Sequence, residues 1–179
     1  MKRIVYVPQL VMIMNLPKRK NIRLKNYDYS SNGMYFITIC CKDRINYLGE
    51  ICNRTALLQP IVKLSDIGEM ISEHWYKLIN RYENMLSDKF VVMPNHIHGI
   101  IVIDFERAKQ SPAPTIGDII CTYKSITTKL ANKNNNSPGR TIWQRGYYEH
   151  IIRYENEYQK IWEYIDSNPL KWQEDCFYL

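Results

Sequence analysis

The run Phe90 to Asp104, FVVMPNHIHGIIVID, most tightly constrains how this chain can fold. Its Val and Ile residues favour extended backbone, and Pro94-Asn95 divides it into two short pieces. Along a strand successive side chains alternate faces, so residues two apart point the same way. His96 and His98 must then share one face. A rigid strand presenting two neighbouring imidazoles is a preorganised half-site for a metal ion. A second group lies near the C-terminus, in Tyr164-Ile165-Asp166-Ser167-Asn168-Pro169. There a tyrosine hydroxyl and an amide oxygen stand four residues apart.

A chain of 179 residues suffices for one domain with a proper core. The five cysteines are odd in number and show no CxxC spacing, which excludes a disulfide framework and a zinc knuckle. The expectation is a protein of the reducing cytoplasm. The net charge of +6 is uneven. Residues 1–25 hold Lys2, Arg3, Lys18, Arg19, Lys20, Arg23 and Lys25 and no acid, leaving 17 basic against 18 acidic side chains in the rest. The division expected is a basic arm over 1–25 and one domain over 26–179. Such arms contact phosphates or remain solvated tails. The apolar stretch Ile4 to Ile13 is shorter than the roughly 20 residues of a membrane span. It runs into Lys18-Arg19-Lys20 without a small-residue cleavage site, so neither secretion nor membrane attachment is expected.

Periodicity predicts the order β-β-α-β-β-α-β-α. Tyr35 to Lys42 reads as a strand, with Tyr47 to Ile51 as its hairpin partner. Ser65 to Arg81 carries a helical stripe opened by an N-cap serine. Strands flank Pro94-Asn95, at 89–93 and 96–103. Thr115 to Ala131 reads as a helix, Lys133 to Arg140 as a loop, and Thr141 to Ile152 as extended. A last helix spans Glu155 to Ser167 and stops before Pro169. The expected architecture is α+β, an antiparallel sheet with helices packed mainly on one face.

In the last helix Tyr158, Ile161, Trp162 and Ile165 form the core stripe. At 100° per residue, Tyr164 lies roughly 110° and Asn168 roughly 70° from its centre, on one side. Spaced i, i+4, the two stand together. A tyrosine at the edge of a buried face can lean over a site on the neighbouring sheet.

Several segments together resemble a known family. VVMPNHIHGIIVI resembles the histidine-hydrophobic-histidine strand of single-tyrosine HUH transposases. IRLKNYDYSSNGMYFITICCKDR, WQRGYYEHIIR and YIDSNPLKW resemble the REP-associated tyrosine transposases in particular. The resemblance covers roughly residues 19–173. It implies a ferredoxin-like sheet, a divalent metal ion (Mg²⁺ or Mn²⁺), single-stranded or hairpin DNA, and a covalent tyrosine–DNA intermediate. Carried over by position, it implies His96 and His98 as metal ligands, Tyr164 as nucleophile and Asn168 as third ligand. Insertion-sequence relatives often carry Gln at that last position.

That chemistry suits these residue types. A tyrosine oxygen, with an unperturbed pKa of about 10, is a weak nucleophile until positioned or deprotonated. A metal ion can orient the phosphate as a Lewis acid. The expected product is a 5′-phosphotyrosine with a free 3′-hydroxyl. DNA contacts are expected from Lys18, Arg19, Lys20, Arg23 and Lys25, and from Lys124 and Lys129 on the second helix. Tyr148 is the reserve nucleophile. A monomer is favoured over a dimer that exchanges the tyrosine helix, because the segment from Arg153 to Tyr164 permits the helix to fold back in cis; the dimer stays open. Three alternatives remain open: a metal-dependent nuclease without an adduct, a hairpin-binding protein without catalysis, and an RNA-recognition-type sheet.

Overall fold

The computed structural model describes residues 32–53, 60–107 and 114–178. The basic arm, with Lys18, Arg19, Lys20, Arg23 and Lys25, lies outside them. Four strands form the main sheet: β1 (Gly33–Cys40), β4 (Met85–Val92), β5 (His96–Ile103) and β6 (Tyr148–Ile152). All neighbours are antiparallel, in the order β4-β5-β1-β6. With α1 (Asp66–Arg81) and α2 (Ile116–Asn134) between them, the strands follow a β-α-β-β-α-β succession. The third helix, α3 (Glu155–Ser167), comes after β6.

The expected hairpin between β1 and Tyr47 to Ile51 does not form. β2 (Gly49–Asn53) pairs instead with β3 (Pro60–Leu64) in a separate two-stranded sheet. Both edges of β1 are already occupied, by β5 and β6, so β2 has no free partner there. β3 escapes a pattern search because it is short and opens on a proline. β4 starts at Met85, four residues before the expected strand, with a register shift between Ser87 and Phe90. Such a shift blurs period-two alternation.

Helix starts follow local chemistry. The Ser65 hydroxyl accepts from the Gly68 amide at the head of α1. Thr115 and Asp118 form a reciprocal capping box on α2. That helix continues to Asn134, into residues expected to be a loop.

The helices divide between the faces of the sheet. Odd-numbered side chains of β1 and β5 (Tyr35, Ile37, Ile39, Ile97, Ile101) pack with Trp75 of α1 and Ile119, Ile120 and Tyr123 of α2. Even-numbered Phe36 and Ile100, with Ile152, pack against Ile161 and Ile165 of α3. Thus α1 and α2 share one face and α3 alone covers the other. Burying an isoleucine contributes roughly 1.5–3 kcal/mol, so Ile161 and Ile165 dock α3 firmly. Two ties to β4 fix its direction. The Tyr158 hydroxyl donates to Asp88 Oδ2 at 2.6 Å, and Lys89 Nζ donates to Asp166 Oδ1 while lying 3.7 Å from the Trp162 ring centre. Among the described residues, no helix is long and apolar enough to cross a membrane.

Candidate active site and metal centre

β5 places both imidazoles on the α3 face of the sheet. His98 stands opposite Thr38 and His96 opposite Cys40 in the β1 ladder. Both rings are fully buried, and their Nε2 atoms face each other at 2.9 Å. Each outer nitrogen is engaged: His96 Nδ1 with Asn95 Oδ1 at 2.9 Å, His98 Nδ1 with Thr38 Oγ1 at 2.8 Å. Burial disfavours the imidazolium. It pushes His98 down to about 3, and it pushes His96 well below its ordinary range, helped by the His98 and Arg44 charges. Both rings are therefore neutral, the form that binds metal.

α3 brings Tyr164 to the same place. Its hydroxyl lies 3.3 Å from His98 Nε2 and donates to Asp175 Oδ2 at 3.5 Å. Phe36 meets His98 in a stacked contact at 5.3 Å and Tyr164 edge-on at 6.1 Å, filling the space beneath both rings. Burial, and then the charges of Asp175 and Cys176, push the Tyr164 phenol above its usual value. The phenol is thus protonated in the protein alone. Asn168 sits one turn on and is buried; its Nδ2 donates to Asp175 Oδ2 at 2.8 Å. Its Oδ1 is buried without a hydrogen-bond partner.

The chain after α3 closes the site. Phe177 packs 4.4 Å from the His96 ring, and Trp172 and Phe177 join Met93 in a small apolar cluster. Arg44, in the left-handed backbone region at φ 54, donates to the Cys176 carbonyl at 2.9 Å. Asp175 is thereby carried inward, and burial raises its carboxyl above the ordinary range. His96, His98 and Asp175 offer three ligand atoms within 4.8 Å of one another. Two imidazole nitrogens and a carboxylate are a donor set that suits a divalent cation. The hydrogen bonds on the outer imidazole nitrogens are the usual support of such a site.

No family model matches the chain. An uncharacterized protein of Haemophilus influenzae is 40% identical over 176 residues, 90% of this chain and 93% of its own. A second protein of that organism, described as "Putative REP-associated tyrosine transposase", is 25% identical over 154 residues, 83% of this chain and 77% of its own. The solved structure of a REP-associated tyrosine transposase bound to a REP hairpin matches with a TM-score of 0.51 at 21% identity, over 86% of this chain and 76% of that one. The chain shares the fold of that transposase.

The site is compact and drawn from one chain. The structure brings together His96, His98, Tyr164 and Asn168, the four residues singled out in the sequence. It does not bring Lys124 and Lys129 to them. Both ride on α2, which packs on the opposite face of the sheet, and Lys124 Nζ donates to the carbonyls of Gln144 and Gly146 at 2.7 and 2.6 Å. Tyr148 shares the site face, opposite Thr38, and meets Phe36 edge-on at 6.2 Å. Sequence reasoning missed Asp175, Phe36, Thr38 and Asn95. The available signal for Asp175 was its flanks: Trp172 and Phe177 are large apolar residues in a stretch that would otherwise read as a frayed end.

Proposed function

We propose that this protein cleaves and rejoins single-stranded hairpin DNA, with Tyr164 as nucleophile. The observation that carries the reading is the Tyr164 hydroxyl, 3.3 Å from an Nε2 that itself faces a second imidazole Nε2. His96 and His98 would hold a divalent cation, Mg²⁺ or Mn²⁺, with oxygens of Asp175 and Asn168. When bound, that ion would supply positive charge to polarise a non-bridging phosphate oxygen and to ease loss of the phenolic proton.

The chain's own residues do the rest. Phe36 and Asn168 hold Tyr164 and Asp175 in place. Asp175 Oδ2 is within reach as acceptor of the Tyr164 proton. The Tyr164 oxygen forms a bond to phosphorus while the bond from phosphorus to the 3′-oxygen breaks. The departing oxygen keeps the electron pair, takes a proton and becomes a free 3′-hydroxyl; the other product is a 5′-phosphotyrosine. Attack by a 3′-hydroxyl on that phosphotyrosine reverses the process, and no ATP is needed because the phosphoester is conserved. A REP hairpin is what the related solved transposase holds, and DNA of that form is the substrate class proposed here. Since α3 reaches the site within its own chain, a monomer suffices for the chemistry.

The test is incubation with single-stranded hairpin DNA and Mn²⁺, followed by a denaturing gel. Wild-type protein should form a covalent adduct that Tyr164→Phe lacks. Cleavage by Tyr164→Phe without an adduct would establish a water-using nuclease. Binding without cleavage by any form would establish a hairpin-binding protein. An adduct mapped to Tyr148 would move the nucleophile.

A further inference from the structure

Asn95 closes the turn before β5 and is buried. Its Nδ2 has two hydrogens, and both meet carbonyls: Phe177 at 2.9 Å and Arg44 at 3.1 Å. Carbonyls only accept, so these contacts fix which end of the amide is nitrogen. The atom 2.9 Å from His96 Nδ1 is then the amide oxygen, which cannot donate. His96 Nδ1 must carry the proton, and its Nε2 presents a lone pair to the site.

His98 is held differently. Its Nδ1 faces a hydroxyl, Thr38 Oγ1, which can donate or accept. Two lone pairs cannot face each other at the 2.9 Å that separates the Nε2 atoms, so His98 Nε2 donates to His96 Nε2. His98 Nδ1 then accepts from Thr38. A cation between the rings needs a lone pair from each. To bind it, His98 must give up its proton at Nε2 and take one at Nδ1, while Thr38 rotates its hydroxyl from donor to acceptor.

We propose that Asn95 and Thr38 are the positioning pair of this site. Asn95 is a fixed acceptor that locks His96 as a ligand. Thr38 is a reversible partner that lets His98 change from bridging a proton to binding a cation. The inference rests on the metal-binding reading above, but its first arm stands without it.

That arm is two-dimensional NMR of ¹⁵N-histidine-labelled, metal-free protein. His96 should be protonated at Nδ1 and His98 at Nε2. Adding Zn²⁺, a diamagnetic probe suited to imidazole ligands, should move the His98 proton to Nδ1 and leave the His96 proton in place. The second arm is Zn²⁺ titration by calorimetry. Thr38→Val keeps the shape and removes the hydroxyl, so affinity should fall about 10–100-fold, as for loss of other outer-shell partners. Thr38→Ser should restore it. Metal-free His96 protonated at Nε2 would overturn the role of Asn95. Wild-type affinity in Thr38→Val, or a His98 proton that stays on Nε2 in the presence of Zn²⁺, would overturn that of Thr38. If wild-type protein binds no Zn²⁺, the metal-binding reading and the role of Thr38 fail together, while the metal-free His96 spectrum still decides for or against Asn95.

Discussion

Gly99 sits in β5 directly after His98 and faces the other way, toward Trp75. An added Cβ there would lie 2.5 Å from Trp75 Cζ2, 2.9 Å from Cη2 and 3.4 Å from Phe90 Cδ2. Carbon atoms pack at about 3.5–4.0 Å, so Gly99→Ala demands a displacement of roughly 1 Å. Trp75 cannot easily supply it. The ring is fully buried, stacks on Phe90 at 4.4 Å, meets Tyr123 edge-on at 5.5 Å, and donates from Nε1 to Ser87 Oγ at 2.8 Å. Either that hydrogen bond breaks or β5 moves toward α3 and carries His98 with it. Overpacking of this kind costs about 1–3 kcal/mol. Urea unfolding should show a lower midpoint at unchanged slope, and Zn²⁺ affinity should fall as well. Trp75→Phe removes the clashing ring, so the double variant should be more stable than the sum of the two single losses allows. An unchanged midpoint in Gly99→Ala, or strict additivity with Trp75→Phe, would show that the contact does not hold β5 in place.

Three further outcomes are expected. In the metal-free protein both buried histidines stay neutral, His98 down to about 3, whereas an unfolded imidazole titrates near 6.5. Below that value the unfolded chain binds the extra protons, so stability should fall with pH by up to about 1.4 kcal/mol per unit per histidine. The raised Asp175 carboxyl offsets part of this loss. Urea melts at pH 7, 6 and 5 would refute the reasoning if the variant carrying both His96→Gln and His98→Gln loses stability as steeply as wild type. Asp175→Asn should weaken Zn²⁺ binding more than Asn168→Ala does, since it removes the anionic oxygen; calorimetry giving the reverse order would return the third ligand to Asn168. Deleting residues 1–25, which hold seven cations and no acid, should lower hairpin affinity and flatten its salt dependence. An equal salt slope with and without the arm would leave it no role in binding.

The period-two run after Pro94 settled that His96 and His98 share a face, because backbone alternation is local and needs no partner. The helical stripe likewise set Tyr164 beside Asn168 at the edge of the buried face of α3. Local signals also placed the starts of α1 and α2, where Ser65 and Thr115 supply the caps. Pairing was not legible. Whether β2 joins β1 or β3 depends on which edges of β1 are already filled, and that is decided by β5 and β6, far away in sequence. Nor does any helix pattern say which face of a sheet it will cover; β1 and β5 are apolar on both, and only the whole packing sends α3 to the histidine side. Asp175 shows the limit most clearly. No spacing links it to His96, 79 residues earlier. It enters the site because Trp172 and Phe177 bury themselves against Met93 and His96 and draw the intervening carboxylate in with them.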